Sequence, residues 1–184
     1  MRPMIPSGNS SDMTPATSAS AAPMHTAGSE GPSAQYLTFS CAKEEYGVDI
    51  LRVQEIRGWS PVTKLPEAPR DVMGVLNLRG KIVPVFDLRT RFGLETKLID
   101  ASTVVIVLRL QGEVGDRIVG ICVDGVSDVQ NVPTDAIMPT PDVGGRSDDQ
   151  DCVSGLVTLA DKTVMLLDID RLFGSQPAAP RGVA

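Results

Sequence analysis

The sequence predicts an all-β fold of two small five-stranded barrels, related by an internal duplication, with short helical turns. Three observations carry this. Hydrophobic residues make up 42% of the 184 residues but aromatics only 4%, so Val, Ile and Leu must fill the core. β-Branched residues suit a pleated, half-buried surface. Residues 74–87 read as two short apolar strands around a turn carrying Arg79 and Gly80, the local pattern of a hairpin. That pattern then returns without a gap. Residues 155–174 align on 74–93, with identical pairs Gly74/Gly155, Leu78/Leu159, Lys81/Lys162, Val83/Val164, Asp87/Asp168, Phe92/Phe173 and Gly93/Gly174. A second echo, residues 47–56 against 120–129, recurs in the same order, which marks a duplicated unit.

Taken in order, residues 36–41 alternate and form the first strand, 43–45 a polar turn and 46–50 the second strand. Residues 51–56 leave strand and helix open, because Ile50, Val53 and Ile56 also fit a single helical turn. Trp59-Ser60-Pro61 bends the chain, and residues 66–73 predict a short helix with Pro69 in its first turn. The hairpin follows. Pro84 has no N–H to donate, so its strand is expected at an edge or at a bulge. Asp87 closes the strand, and residues 88–93 form one short helical turn ended by glycine. Residues 103–110, 117–124 and 126–132 supply strands for the second copy. About five short strands per copy, each with one apolar face, close into a small barrel and so remove exposed edges. The domain therefore spans residues 34–174, with a first barrel over about 36–98 and a second over about 100–174. Exchange of end strands between the two stays open.

Outside this domain, residues 1–33 read as a disordered low-complexity tail of Met, Pro, Ser, Ala, Thr and Gly, and residues 175–184 as a loose C-terminal tail. The acidic, Gly-rich residues 139–151 read as a mobile surface loop. No signal peptide is expected, since residues 7–12 are polar where an apolar core would be needed. The longest apolar run, residues 104–108, suits a buried strand and not a membrane span.

Charge and chemistry narrow the function. A formal net charge of -6 and an isoelectric point of about 4.7 argue against nucleic acid and against anionic membrane surfaces as partners. The single histidine, His25, lies in the tail, so no Ser-His-Asp or Cys-His arrangement can form in the core. Cys41, Cys122 and Cys152 lack metal-ligand spacing; their odd number and the absence of an export signal fit a reducing cytoplasm. Gly80-Lys81 does not complete a phosphate loop. Asp148, Asp149 and Asp151 lack the alternation and closing glutamate of a calcium loop. No catalytic residue, metal site or cofactor is expected. A binding module is favoured over an enzyme working in a groove between the barrels.

Residues 45–57, 74–80, 82–89, 103–110 and 119–129 together resemble the CheW family of bacterial chemotaxis coupling proteins. The resemblance covers about residues 35–174. It implies two five-stranded, SH3-like β-barrels around a shared apolar seam. It also implies a non-catalytic cytoplasmic scaffold, recruited to membrane-associated receptor arrays. Such a scaffold links the cytoplasmic tip of methyl-accepting chemotaxis receptors to the histidine kinase CheA. Adaptors of twitching, gliding and biofilm-control pathways share the architecture and stand as the alternative. Neither a kinase nor a receiver domain fits in this chain.

Carried over residue by residue, the resemblance assigns Arg79 to receptor contact and places Val104, Val126 and Val129 in a receptor groove between the barrels. All three valines also fit ordinary core positions. Val53, Glu55 and Gly74 match positions of coupling contacts, including those to the kinase; Gly74 also fits a purely conformational requirement. The second copy repeats the apolar frame but puts Ala160-Asp161 where the first has Arg79-Gly80, so the charged tip is not part of the repeat.

Overall fold

The computed structural model describes residues 31–95, 98–111, 116–141 and 152–174. The expectations for residues 1–30, His25, residues 142–151 with Asp148, Asp149 and Asp151, and the C-terminal tail therefore lie outside the described residues, while Ser33, expected at the end of the first tail, already belongs to the first strand. The strands are β1 (Ser33–Cys41), β2 (Glu44–Asp49), β3 (Val53–Gly58), β4 (Val72–Leu78), β5 (Lys81–Asp87), β6 (Val104–Leu110), β7 (Arg117–Val123), β8 (Gly125–Pro133), β9 (Val153–Leu159) and β10 (Lys162–Leu167). Short helices α1 (Leu88–Arg91) and α2 (Ile169–Gly174) follow β5 and β10.

These strands form two five-stranded sheets, ordered β8-β1-β2-β10-β9 and β3-β6-β7-β5-β4. The orders are the same once each strand is replaced by its counterpart in the other copy. The boundary near residue 99 does not divide the sheets, however. The first sheet joins β1 and β2 of the first copy to β8, β9 and β10 of the second. The second sheet is a continuous run of chain, β3 to β7, inserted between them. Four pairings make the exchange, β1 with β8 and β3 with β6 antiparallel and two parallel ones: Leu166 of β10 sits opposite Gly47 of β2, and Val85 of β5 opposite Gly120 of β7. Gly47 and Gly120 are the counterparts recognised in the upstream repeat. A Cβ on Gly47 would come within 2.9 Å of Leu166 Cδ2, and one on Gly120 within 3.0 Å of Val105 Cγ1. A side chain at either position would thus crowd its neighbours.

Several local expectations change. Residues 66–73 form turns leading into β4 and no helix, because Pro66 and Pro69 interrupt the segment and Val72 pairs with Phe86. β5 is an interior strand, not an edge. Pro84 pairs with Val75 on one side, and the ladder to β7 begins only at Val85, so the missing N–H costs no bond there. Residues 50–56 split: Ile50–Arg52 make a 3-10 turn capped by Asp49, and the strand resumes at Val53. The ladders are not closed into complete barrels, since β8 is not paired with β9 nor β3 with β4 among the described residues. Instead the outer edges of β4 and β9 are covered by single bridges, Thr63 to Val75 and Met138 to Leu156. Covering an edge in this way removes a template for unwanted pairing.

The apolar residues lie in three layers. The largest cluster fills the seam between the sheets. Leu37, Phe39, Tyr46, Val48, Leu167 and Phe173 contribute from one side, and Phe86, Ile106, Leu108, Ile121 and Val123 from the other. Val85, Val105, Val107 and Cys122 occupy the opposite face of the second sheet, and Val132, Val157, Val164 and Leu166 that of the first. Burial on both faces explains the unbroken apolar run of β6, where alternation would otherwise be expected.

The chain passes between sheets at two points, Ile50–Arg52 and Asp124. Each crossing is tied to a helix by an ion pair, with the charges reversed. Arg52 Nη2 donates to Asp170 Oδ2 of α2 at 2.6 Å. Asp124 Oδ1 accepts from Arg89 Nη2 of α1, while its Oδ2 accepts from the Ala42 N–H at 2.7 Å. Arg89 is 2% exposed, the largest fully buried side chain.

Candidate functional site

The β4–β5 hairpin ends in Leu78-Arg79-Gly80-Lys81, with φ of 51° at Arg79 and 86° at Gly80. Two left-handed central residues make a type I′ turn, whose twist matches the flanking strands. Gly80 adopts this freely; an arginine there is held against its own preference. Asn77 Oδ1 accepts the Gly80 N–H at 2.8 Å and braces the turn. The Arg79 side chain is 87% exposed, and its Nη2 lies 3.6 Å from Glu55 Oε2.

Beside this tip the second sheet forms an open groove of about 510 Å³, lined by Leu51, Val53, Gln54, Glu55, Leu78, Arg79, Lys81, Arg109 and Ile118. Leu51, Val53, Leu78 and Ile118 add apolar surface to this otherwise polar lining, and Leu51 is 84% exposed. The cations Arg79, Lys81 and Arg109 outnumber the one carboxylate, Glu55, on a chain of net charge -6. Arg109 is steadied by the Gln54 amide, whose oxygen, when turned toward it, accepts from Nη2 and Nε at 2.9 and 3.0 Å. The groove can therefore take a segment that is both apolar and acidic.

Of the residues singled out in the sequence, Arg79, Val53 and Glu55 come together here. Gly74 does not. It lies up β4 from the tip, at φ 147°, with Thr63 across its open side, where a Cβ would stand 2.4 Å from the Thr63 carbonyl oxygen. The duplicate glycine, Gly155, faces Ile137 Cγ2 at 2.6 Å and Met138 O at 3.0 Å. Close approach of the covering segment accounts for both glycines.

Val104, Val126 and Val129 line no part of the groove. Val104 and Val126 are half-buried against the seam cluster. Val129 is 42% exposed on β8. β8 pairs Val126 with Phe39 and Val129 with Leu37, so it carries an extra residue there, and this bulge turns both valines to the seam side. The Thr38 hydroxyl fills the bulge, donating to Asp128 O at 2.8 Å and accepting from Asp128 N at 3.2 Å.

Lys81, Arg109, Gln54 and Ile118 were not singled out in the sequence. One signal was present: Arg109 is the single charge in the otherwise apolar strand Val104–Leu110. Lys81 closes the β4–β5 turn beside Arg79, whereas Gln54 and Ile118 reach the groove through the pairing of β3, β6 and β7.

Among the described residues no cluster of His, Cys, Asp or Glu could hold a metal ion, and no helix is long and apolar enough to cross a membrane.

Comparison with known proteins gives a consistent result. The chemotaxis protein CheW of Klebsiella aerogenes is 43% identical over 145 residues, 79% of this chain and 84% of that protein. CheW of Rhizobium meliloti is 36% identical over 142 residues, 77% of this chain and 88% of that protein. The crystal structure of the scaffolding protein TtCheW from Thermoanaerobacter tengcongensis superposes with a TM-score of 0.69 at 33% identity, covering 77% of this chain and 88% of that one. The CheW-like domain model matches residues 35–176, and with it the chain belongs to the CheW-like domain family.

Proposed function

We propose that this chain is a non-catalytic chemotaxis scaffold that couples methyl-accepting receptors to the histidine kinase CheA. Family membership supports the adaptor role, as does the name of the solved relative, a scaffolding protein. The observation that carries the receptor assignment is Arg79, an exposed arginine on a braced type I′ turn beside a basic groove with apolar residues in its lining. Guanidinium offers planar, forked donors, which suit carboxylates and carbonyls on the tip of a receptor helical hairpin. Val53 and Glu55 form the wall of the same groove and contact the partner together with Arg79. Val104, Val126 and Val129, on the seam side, form a second apolar contact zone. Gly74 serves the kinase only indirectly, by keeping its hairpin in place. The chain works in the cytoplasm at receptor arrays, without a cofactor.

Co-sedimentation tests this reading. Purified chain is mixed with receptor-bearing membranes and CheA, and kinase activity and pelleted protein are measured. The expected result is recruitment of CheA that depends on the chain and is reduced by Arg79→Ala. Equal recruitment without the chain would overturn the reading.

A further inference from the structure

We infer that Asn77 is a positioning residue for Arg79, fixing the backbone from which the guanidinium is presented. This rests on the reading of Arg79 as the recognition arginine. Asn77 faces solvent on β4, opposite the exposed Ile82, and it belongs to none of the apolar clusters. Among the described residues its side chain makes one hydrogen bond, the 2.8 Å bond that its Oδ1 accepts from the Gly80 N–H.

The duplicate hairpin supplies an internal control. Ala160 and Asp161 adopt the same turn, with φ of 45° and 66°. Thr158 stands where Asn77 stands, and among the described residues it makes no side-chain hydrogen bond to that turn. The turn therefore forms without a brace. The brace occurs in the copy that carries the arginine, where a bulky residue must be held left-handed next to a glycine that could relax to many other conformations. Releasing the Gly80 N–H lets the Arg79–Gly80 peptide rotate, and the guanidinium then leaves its place beside Glu55. A partner would have to order the tip on docking, and affinity would fall by that ordering cost.

A double-mutant cycle tests the inference, with the full chain binding a soluble helical-hairpin fragment of the cognate chemoreceptor tip. Asn77→Ala is expected to weaken binding about two- to tenfold, the range of one net hydrogen bond. Thermal unfolding should shift by no more than one exposed hydrogen bond allows, and exchange of the Gly80 amide proton should speed up. Asn77→Asp, which keeps the acceptor, should restore Gly80 protection and most of the affinity. Added to Arg79→Ala, Asn77→Ala should do nothing further, since its effect runs through the arginine. An equal loss in both backgrounds would show that Asn77 touches the partner itself or acts on the fold, and would overturn the inference. So would wild-type affinity of Asn77→Ala beside a weakened Arg79→Ala, which leaves the receptor reading standing. Wild-type affinity of Arg79→Ala would overturn that reading and this inference together.

Discussion

Arg79 Nη2 stands 3.6 Å from Glu55 Oε2, joining the tip of the β4–β5 hairpin to β3 across one groove. At this exposure an ion pair contributes only about 0–1 kcal/mol, so it orients the arginine more than it stabilises the fold. It also places a residue assigned to receptor contact against one assigned to coupling. If both residues act as proposed, they act from one surface, and substitutions at either should perturb the other.

Arg79→Ala should leave stability within about ±0.5 kcal/mol, as for other exposed positions. Truncating an arginine at a docked interface typically costs about 2 kcal/mol or more, so receptor affinity should fall roughly thirtyfold or further. Lys should rescue poorly, because it lacks the planar fork. The matching change at Ala160 should have little effect. Circular dichroism and receptor-fragment titration on the same protein check this; a folded variant with unchanged affinity would leave Arg79 as an ordinary turn residue.

Gly74→Ala should act on stability first. The new Cβ would meet backbone, the Thr63 carbonyl oxygen at 2.4 Å, at a φ of 147° that L-residues avoid. Overpacking of this kind costs about 1–3 kcal/mol, with strain adding to it. Gly155→Ala should cost less, because its closest neighbour is the side-chain atom Ile137 Cγ2. Urea unfolding of the two variants ranks them, and the reverse order would mean that the covering segments are not what demands glycine.

The crossing at Asp124 should be more sensitive than the one at Arg52. Arg89 is almost wholly enclosed, and Arg89→Met would leave the Asp124 carboxylate without its cation, at about 3–5 kcal/mol. Arg52 and Asp170 retain 21% and 30% exposure, so water can replace either partner and Arg52→Met should cost clearly less. Combining Arg89→Met with Asp124→Leu should recover part of the loss only, since the Ala42 N–H would remain without its acceptor.

Alkaline pH should destabilise the chain through two thiols. Burial, together with Asp124, pushes Cys41 up to about 12, and burial with Asp87 does the same for Cys122. An unfolded thiol ionises near 9. Between these values the folded state keeps its protons while the unfolded state releases them. Stability is thus fully present below about pH 9 and falls as pH rises toward 12. Urea midpoints from pH 8 to 11 should show the decline, and Cys41→Ala with Cys122→Ala should reduce it, leaving the part due to the Tyr46 phenol, which burial also pushes up. A thiol reagent should react with the native chain only as fast as it opens.

Much of this was legible in residue patterns. The repeat of residues 74–93 in 155–174 gave equivalent hairpins, with Asp87 and Asp168 at equivalent strand ends. Both cap the helix that follows, accepting from Arg89 N at 3.0 Å and from Asp170 N at 3.1 Å. Their own amides also match, donating to Asp71 O at 2.8 Å and Cys152 O at 2.7 Å. What could not be read was the sheet to which a strand belongs. Periodicity reports which face of a strand is buried, not which neighbour it pairs with. Gly47 and Gly120 could be matched as a repeat, yet nothing local says that each crosses to the other copy. The groove was half hidden for the same reason. Arg79 sits on a hairpin visible in the sequence, while Arg109 and Ile118 join it through pairings between distant segments.

The exchange of strands leads to a last expectation. If the chain is severed between Ile99 and Asp100, each fragment holds the strands of one copy but neither holds a whole sheet. The first would leave β1 without β8, β2 without β10, β3 without β6 and β5 without β7. Those edges carry unpaired backbone groups, and the seam residues Phe39, Ile106, Leu108 and Phe173 would face water. Each fragment alone should therefore lack a cooperative unfolding transition. Mixed in equal amounts, the two should refold together, because every missing pairing in one is supplied by the other. Near-ultraviolet circular dichroism and size-exclusion chromatography of the mixture decide it. Two fragments that fold separately and ignore one another would mean that the barrels are built from contiguous halves after all.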